Sequence, residues 1–404
     1  MVFFYAKKEV PSLDVEKNNY TPHKKEDKMR DYQVKNFKDL DEVETFFGQQ
    51  NEQDVWVRLR TRDLVPVGLN DEPLFVDQIM SENNTDMTDA DAVRECMNDQ
   101  KLMLEFPYGD KQQVVPLRYT ALKTLCDRAG ISGMSIMSFD NRPHHSQITP
   151  DERAQILSIM LQHFRNKSLL LVRDGKVSAV LSGDPKDYTI MPVCDLLEIV
   201  QEEMDYRFQK YSFLSGQATH EMVRIVFGIQ DDKIRAKANL IANTKSEPDI
   251  QMEFVSSDVG KNSATLIPTV RINGVVIRIG PSLRLRHKSC DLKAFEKMCQ
   301  SMFSMFETGL EQMEKLSQVS VANPEKTLEK IADGADLPLV SLKRAVDVML
   351  QETGGKCSAF DVYYYIYWLI DDYEMLMDEK GKSLSLQQKF DMQEKAARQL
   401  RAFA

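Results

Sequence analysis

The residues whose types and spacing most clearly carry chemistry are cations on a β-hairpin. Arg271, Arg278, Arg284, Arg286, Lys288 and Lys293 fall within residues 264–293, which hold a single acid, Asp291. Four of the six are arginines, whose planar guanidinium fork matches the oxygens of a phosphate. The whole chain carries a net charge of -10, so it is no general basic coat, and any polyanion must be met by a local patch. Phosphate contacts of this kind give affinity and salt dependence rather than sequence reading. The segment holds no aromatic side chain on which a base could stack. The other use of such cations is pairing with acids elsewhere in the fold or on another subunit.

Catalytic patterns are sought and not found. His144 and His145 are adjacent, which makes it hard for both to reach one ion. His220-Glu221 opens like a zinc-protease motif but lacks the second histidine. The acids between Ser81 and Gln100 lack the glycine and closing glutamate of a calcium loop. Gly381-Lys382-Ser383 lacks the upstream glycine of a phosphate loop and reads as a turn. The six cysteines are scattered without C-x-x-C spacing, as expected of reduced thiols. No run approaches the ~18 apolar residues of a membrane span. These readings imply no enzyme, no cofactor, no metal and no membrane, and a place in the cytoplasm.

The elements that position the cations are legible around them. Asn273-Gly274 between two alternating runs predicts a two-residue hairpin turn. It pairs Ile272 with Val275, Val270 with Ile277 and Pro268 with Ile279 on one apolar face. Thr269, Arg271, Val276 and Arg278 take the other, and a one-residue slip would bury the arginines. Arg278, Arg284, Arg286 and Lys288 share even parity, so an extended chain points them the same way. Asp174-Gly175 predicts a second hairpin, and Thr149-Pro150-Asp151-Glu152 a helix start. Phe295, Met298, Met302, Met305, Phe306 and Met313 make a helical stripe expected in a core or a helix seam. Asp371-Asp372 reads as an exposed helix edge. Together these predict an α+β fold, with an antiparallel sheet and β-hairpins in the middle of the chain and a helical C-terminal third. The expected organisation is an irregular arm over 1–35, an α+β domain over 36–320 and a helical region over 321–404.

Three segments carry a family resemblance. Val180-Leu181-Ser182 with Asp187-Tyr188-Thr189-Ile190, the loop Ser256-Ser257-Asp258-Val259-Gly260-Lys261-Asn262-Ser263-Ala264, and Ser358-Ala359-Phe360-Asp361-Val362-Tyr363 resemble motifs of a large uncharacterised family of phage- and plasmid-borne proteins. Leu285-Arg286-His287-Lys288-Ser289-Cys290 departs from the Cys-Asn frequent in that family at this point. The order of hairpin then helix is similar to single-strand annealing recombinases, which hold DNA in a basic groove, oligomerise and need no catalytic residue. The resemblance implies a mobile-element protein in a bacterial host that binds single- or double-stranded DNA in recombination, annealing or replication, as a homo-oligomer. The alternative is a structural or interaction component of a phage or plasmid whose basic face pairs with an acidic partner.

Overall fold

A computed structural model describes residues 33–69, 101–132, 148–242, 247–280 and 282–399. Among these the chain is α+β: strands form three antiparallel sheets and helices fill the C-terminal part. The largest sheet runs β1 (Lys35–Phe37), β8 (Lys210–Ala218), β9 (Val223–Gln230), β10 (Asp249–Ser256), β11 (Ala264–Ile272) and β12 (Val275–Arg278). A further strand, β13 (Leu283–Leu285), pairs with β11 beyond the end of β12. The second sheet is β2 (Val55–Arg60), β6 (Lys167–Arg173) and β7 (Lys176–Ser182). The third is β3 (Val65–Gly68), β4 (Leu102–Tyr108) and β5 (Lys111–Pro116). The proposed acidic stretch 81–100, residues 1–32 of the arm, and His144 with His145 lie outside the described residues.

The hairpin has the predicted register. Ile272 lies opposite Val275 and Val270 opposite Ile277, and the Ile279 amide donates to the Pro268 carbonyl at 3.1 Å. Asn273 and Gly274 have φ of 48° and 86°, the two positive values a type I′ turn requires. Val270, Ile272, Val275 and Ile277 are buried in the main core with Ile225, Phe227, Met252 and Phe254 of the neighbouring strands. Helices complete that core: α1 (Leu40–Gln53), α4 (Val193–Arg207), α5 (Asp232–Ala242), α6 (Leu292–Cys299), α7 (Met302–Gln318), α8 (Pro324–Gly334), α9 (Leu342–Thr353) and α10 (Ala359–Glu379). The methionine stripe lies here as predicted, with Met302, Met305, Phe306 and Met313 buried. It spans two helices rather than one, because the chain breaks at Gln300 and Ser301. The second and third sheets share a separate core with α2 (Tyr119–Ala129) and α3 (Pro150–Gln162).

Tyrosines of α10 bind both strands of the hairpin. The Tyr363 hydroxyl donates to the Arg278 carbonyl at 2.9 Å and that of Tyr364 to the Ile272 carbonyl at 3.4 Å. The tyrosine-rich helix α10 is buried; its Tyr363 hydroxyl satisfies a carbonyl of the edge strand β12, and its Tyr364 hydroxyl reaches the last carbonyl of β11 beside the turn.

The second face of the large sheet differs from expectation. Alternation places Thr265, Thr269 and Arg278 there, and solvent was the expected neighbour. Instead the last helix, α11 (Leu386–Arg398), lies over it. Its Phe390 packs with Met222, Val255 and Ile267, and Gln387 accepts from the Asn262 amide at 2.6 Å. Thr269 and Arg278 are consequently buried. Asp372 is likewise buried rather than exposed, and it is held by Arg344 at 2.9 Å.

Candidate nucleic-acid interface

The six cations read from the sequence divide into two groups. Arg278 and Arg284 do share a side of the sheet, as parity predicts, since they stand opposite Thr269 and Thr265 of β11. The chain steps away from the sheet between them and returns in line. Both guanidinium groups then converge on one carboxylate, Glu394 of α11. Arg278 is 2% exposed, lies 4.9 Å over the Phe390 ring and reaches the Gln393 side-chain oxygen at 3.4 Å. It is an anchor for α11 and is withdrawn from the surface. Arg284 remains about a third exposed, with its charge answered by Glu394.

The second group faces solvent. Arg271 projects near the hairpin turn, across from Asp249 on β10. Arg286 and Lys288 are exposed on the segment that leads from β13 into α6, and Lys293 is exposed in the first turn of that helix. Their backbone is held tightly. Lys288 and Cys290 both donate to the Arg286 carbonyl, at 2.7 and 2.9 Å, and Ser289 takes a left-handed φ of 50°. Asp291 caps α6 by accepting from the Ala294 amide at 2.8 Å. The loop is stitched to residues 186–189: the Thr189 amide donates to the His287 carbonyl at 2.9 Å, and the Ser289 hydroxyl to the Lys186 carbonyl at 2.8 Å. Lys186 thereby joins the group, and Lys288 lies 3.5 Å from Asp187. Arg286 and Lys293 have no ionic partner among the described residues. Lys186 lies outside the hairpin segment on which the sequence reading centred. Only the pairing of two loops about a hundred residues apart brings it in.

Beneath this surface is a buried ionic junction. Arg173 at the end of β6 donates to both oxygens of Asp54, at 2.8 and 2.5 Å, and to Asp258 at 3.0 Å. The Tyr188 hydroxyl donates to the Asp258 carbonyl at 3.0 Å. His287 stacks on the Tyr188 ring, with centroids 5.4 Å apart and planes 12° off parallel. Two of the segments that carry the family resemblance, around Tyr188 and Asp258, thus meet here with the departing segment around His287. Burial raises the Asp54 carboxyl above its ordinary value, outweighing the pull of Arg173. Its role is structural, since both oxygens are occupied by Arg173.

Burial lowers the His287 imidazole below its ordinary 6.5, with Asp258 opposing the shift. An unfolded chain takes up that proton near 6.5, and the folded chain resists it. The stability due to neutral His287 is therefore complete above pH 6.5 and falls as the pH drops through 6.5 toward the lower folded value. Replacing His287 by phenylalanine, which keeps the stack, is expected to flatten the stability profile below that pH. Denaturant midpoints across about pH 5 to 8 check this, and an unchanged slope would refute it.

The exposed cations of the arrangement offer contacts to anions. A cavity lined by Phe47, Asp54, Trp56, Ile190 and Asp258 has a volume of about 10 Å³, room for one water. Among the described residues no group of three or more His, Cys, Asp or Glu side chains is placed to hold a metal ion. No helix among them is long and apolar enough to cross a membrane. Comparison of the chain with protein-family models, with curated proteins and with solved structures finds no match.

Proposed function

We propose that this protein is a non-catalytic nucleic-acid-binding protein, acting in recombination, annealing or replication of a mobile element. The observation that carries the reading is the segment 286–293, a loop that runs into the first turn of α6. There Arg286, Lys288 and Lys293 stand with Lys186 on a firmly hydrogen-bonded backbone, in a chain that is otherwise acidic. Such a group suits the phosphate oxygens of single- or double-stranded DNA. Short oligonucleotides of either form are expected to bind at low salt, with log affinity falling linearly against log salt. Titration by fluorescence anisotropy checks this, and absence of binding at low salt would reject the reading.

A second reading, an interaction component of a phage or plasmid particle, is favoured by one observation. Glu394 and Asp187 already neutralise Arg278, Arg284 and Lys288 within the chain, so acids of protein origin do fit these cations. That reading expects assemblies in negative stain without DNA, and no salt-sensitive DNA binding.

A further inference from the structure

The second sheet carries cations that the hairpin reading does not use. Side chains two apart on a strand share a face, so Trp56, Arg58 and Arg60 of β2 point one way. In register, Trp56 stands opposite Leu171, Arg58 opposite Leu169 and Arg60 opposite Lys167. Trp56 and the leucines are packed with Tyr188 and Val259. Arg58, Arg60 and Lys167 emerge from that face into solvent, and Arg62 and Arg165 flank them, also exposed. Asp63 is the nearby acid, and it holds Arg60 at 2.8 Å. Arg58, Arg62, Arg165 and Lys167 have no ionic partner among the described residues.

Like charges directly opposite on paired strands are destabilising. Arg60 across from Lys167 is such a pair, and among the described residues its ionic partner is Asp63. An opposite charge from outside the chain removes the penalty.

This face also runs into the loop surface already described. The Lys167 carbonyl accepts from the Gly183 amide at 2.9 Å, and a Cβ on Gly183 would lie 2.7 Å from that of Lys167. From Gly183 the chain turns through Asp184, whose carboxylate accepts from the Lys186 amide at 2.9 Å, to Lys186 and then to the stitched loop at Lys288. Arg58, Arg60, Arg62, Arg165, Lys167, Lys186, Arg286 and Lys288 thus form a row with three acids, Asp63, Asp184 and Asp187, along it.

We propose that the outer face of β2 and β6 and the 286–293 loop form one track for the sugar–phosphate backbone of a nucleic acid. The proposal rests on the nucleic-acid reading and extends its footprint onto a second sheet. Trp56 is packed on Tyr188 with ring centroids 6.4 Å apart, so it offers no open platform for a base. The track therefore reads phosphates and is blind to sequence.

The test uses the full chain and labelled oligonucleotides, single-stranded and duplex, with affinity measured against salt. One variant carries R58Q, R60Q and K167Q, and another R286Q, K288Q and K293Q. All six positions are exposed, so melting temperatures are expected to stay close to the parent. Each variant is expected to weaken binding at low salt by about ten-fold or more and to reduce the magnitude of the salt slope by about 2. Comparable losses on both forms mark a backbone reader, and loss on one form names that form as the ligand. An unchanged slope for the first variant with a reduced slope for the second overturns the track and leaves the loop site standing. Unchanged slopes in both place the interface elsewhere and overturn the track. No DNA binding by the parent, or binding of polyglutamate in its stead, overturns the track and the nucleic-acid reading together.

Discussion

Replacing Glu394 by glutamine is expected to cost the fold about 3 kcal/mol or more. The reason is the partner left behind. Arg278 is 2% exposed, and Glu394 supplies its ion pair. Its other close neighbours, the Gln393 oxygen and the Phe390 ring, are neutral, and the buried Glu253 carboxylate, which feels the Arg278 charge, is already held by two nitrogens of Arg224. A buried guanidinium without a counter-charge pays its desolvation unopposed. Arg284 is about a third exposed and loses little by comparison, because water screens it. Denaturant titration should show the loss, and the cause can be isolated. In the Glu394→Gln background, the further change Arg278→Met should recover much of the stability, since an apolar side chain tolerates that site without a partner. If the double variant is as unstable as the single one, the buried charge is not the cause. Loosening α11 also uncovers the second face of the sheet, so amide exchange in β11 and β12 should rise in the single variant.

Gly309→Ala is expected to be at least as damaging, at about 3 kcal/mol or more. Gly309 lies within α7, where it is buried against the chain as it leaves β12. A Cβ there would stand 2.0 Å from the Ile279 carbonyl oxygen and 2.9 Å from its carbon. Both are backbone atoms, so no side chain can swing aside. Relief requires α7 to move off the sheet, which opens the core at Met305, Phe306 and Leu310. A thermal melt well below that of the parent, or recovery only in the insoluble fraction, is the expected result. Gly48→Ala serves as the control, because a Cβ there meets nothing within 4 Å and the residue lies in the helix α1. It should be neutral or slightly stabilising, as alanine is the better helix former. Equal melting temperatures for the two variants would contradict the close approach.

What could be read from the sequence was local. The Asn273-Gly274 turn, the Asp174-Gly175 turn and the Thr149 capping box depend on a few consecutive residues, and each stands where its chemistry placed it. The register of the hairpin followed from alternation, and burial of Val270, Ile272, Val275 and Ile277 follows from the register. The cover on its other face was not legible. Glu394 lies more than a hundred residues from both arginines that it binds, and nothing in its own neighbourhood marks it as a buried counter-ion. Strand β8 also escaped notice, because a register shift between Phe213 and Ser215 breaks the alternation by which a strand is recognised. Alternation in Val55-Trp56-Val57-Arg58-Leu59 marks β2 as a strand, but not its row of cations. That row needed the facing Lys167, which only the sheet pairing supplies.

The tyrosine-covered edge of β12 has a consequence for how copies of the chain can join. A strand edge that lies under a helix, with its Arg278 carbonyl already holding a hydroxyl proton, is a poor template for another chain. Lengthening of the large sheet from molecule to molecule is closed at that end. The opposite end is guarded by β1, which pairs with Gly216, Gln217 and Ala218 of β8 and leaves residues 210–215 beyond its reach. That stretch contains the register shift, which spoils it for a regular ladder. Among the described residues, copies of the chain that join at the large sheet would therefore meet through side-chain surfaces and not by extending that sheet from one molecule to the next.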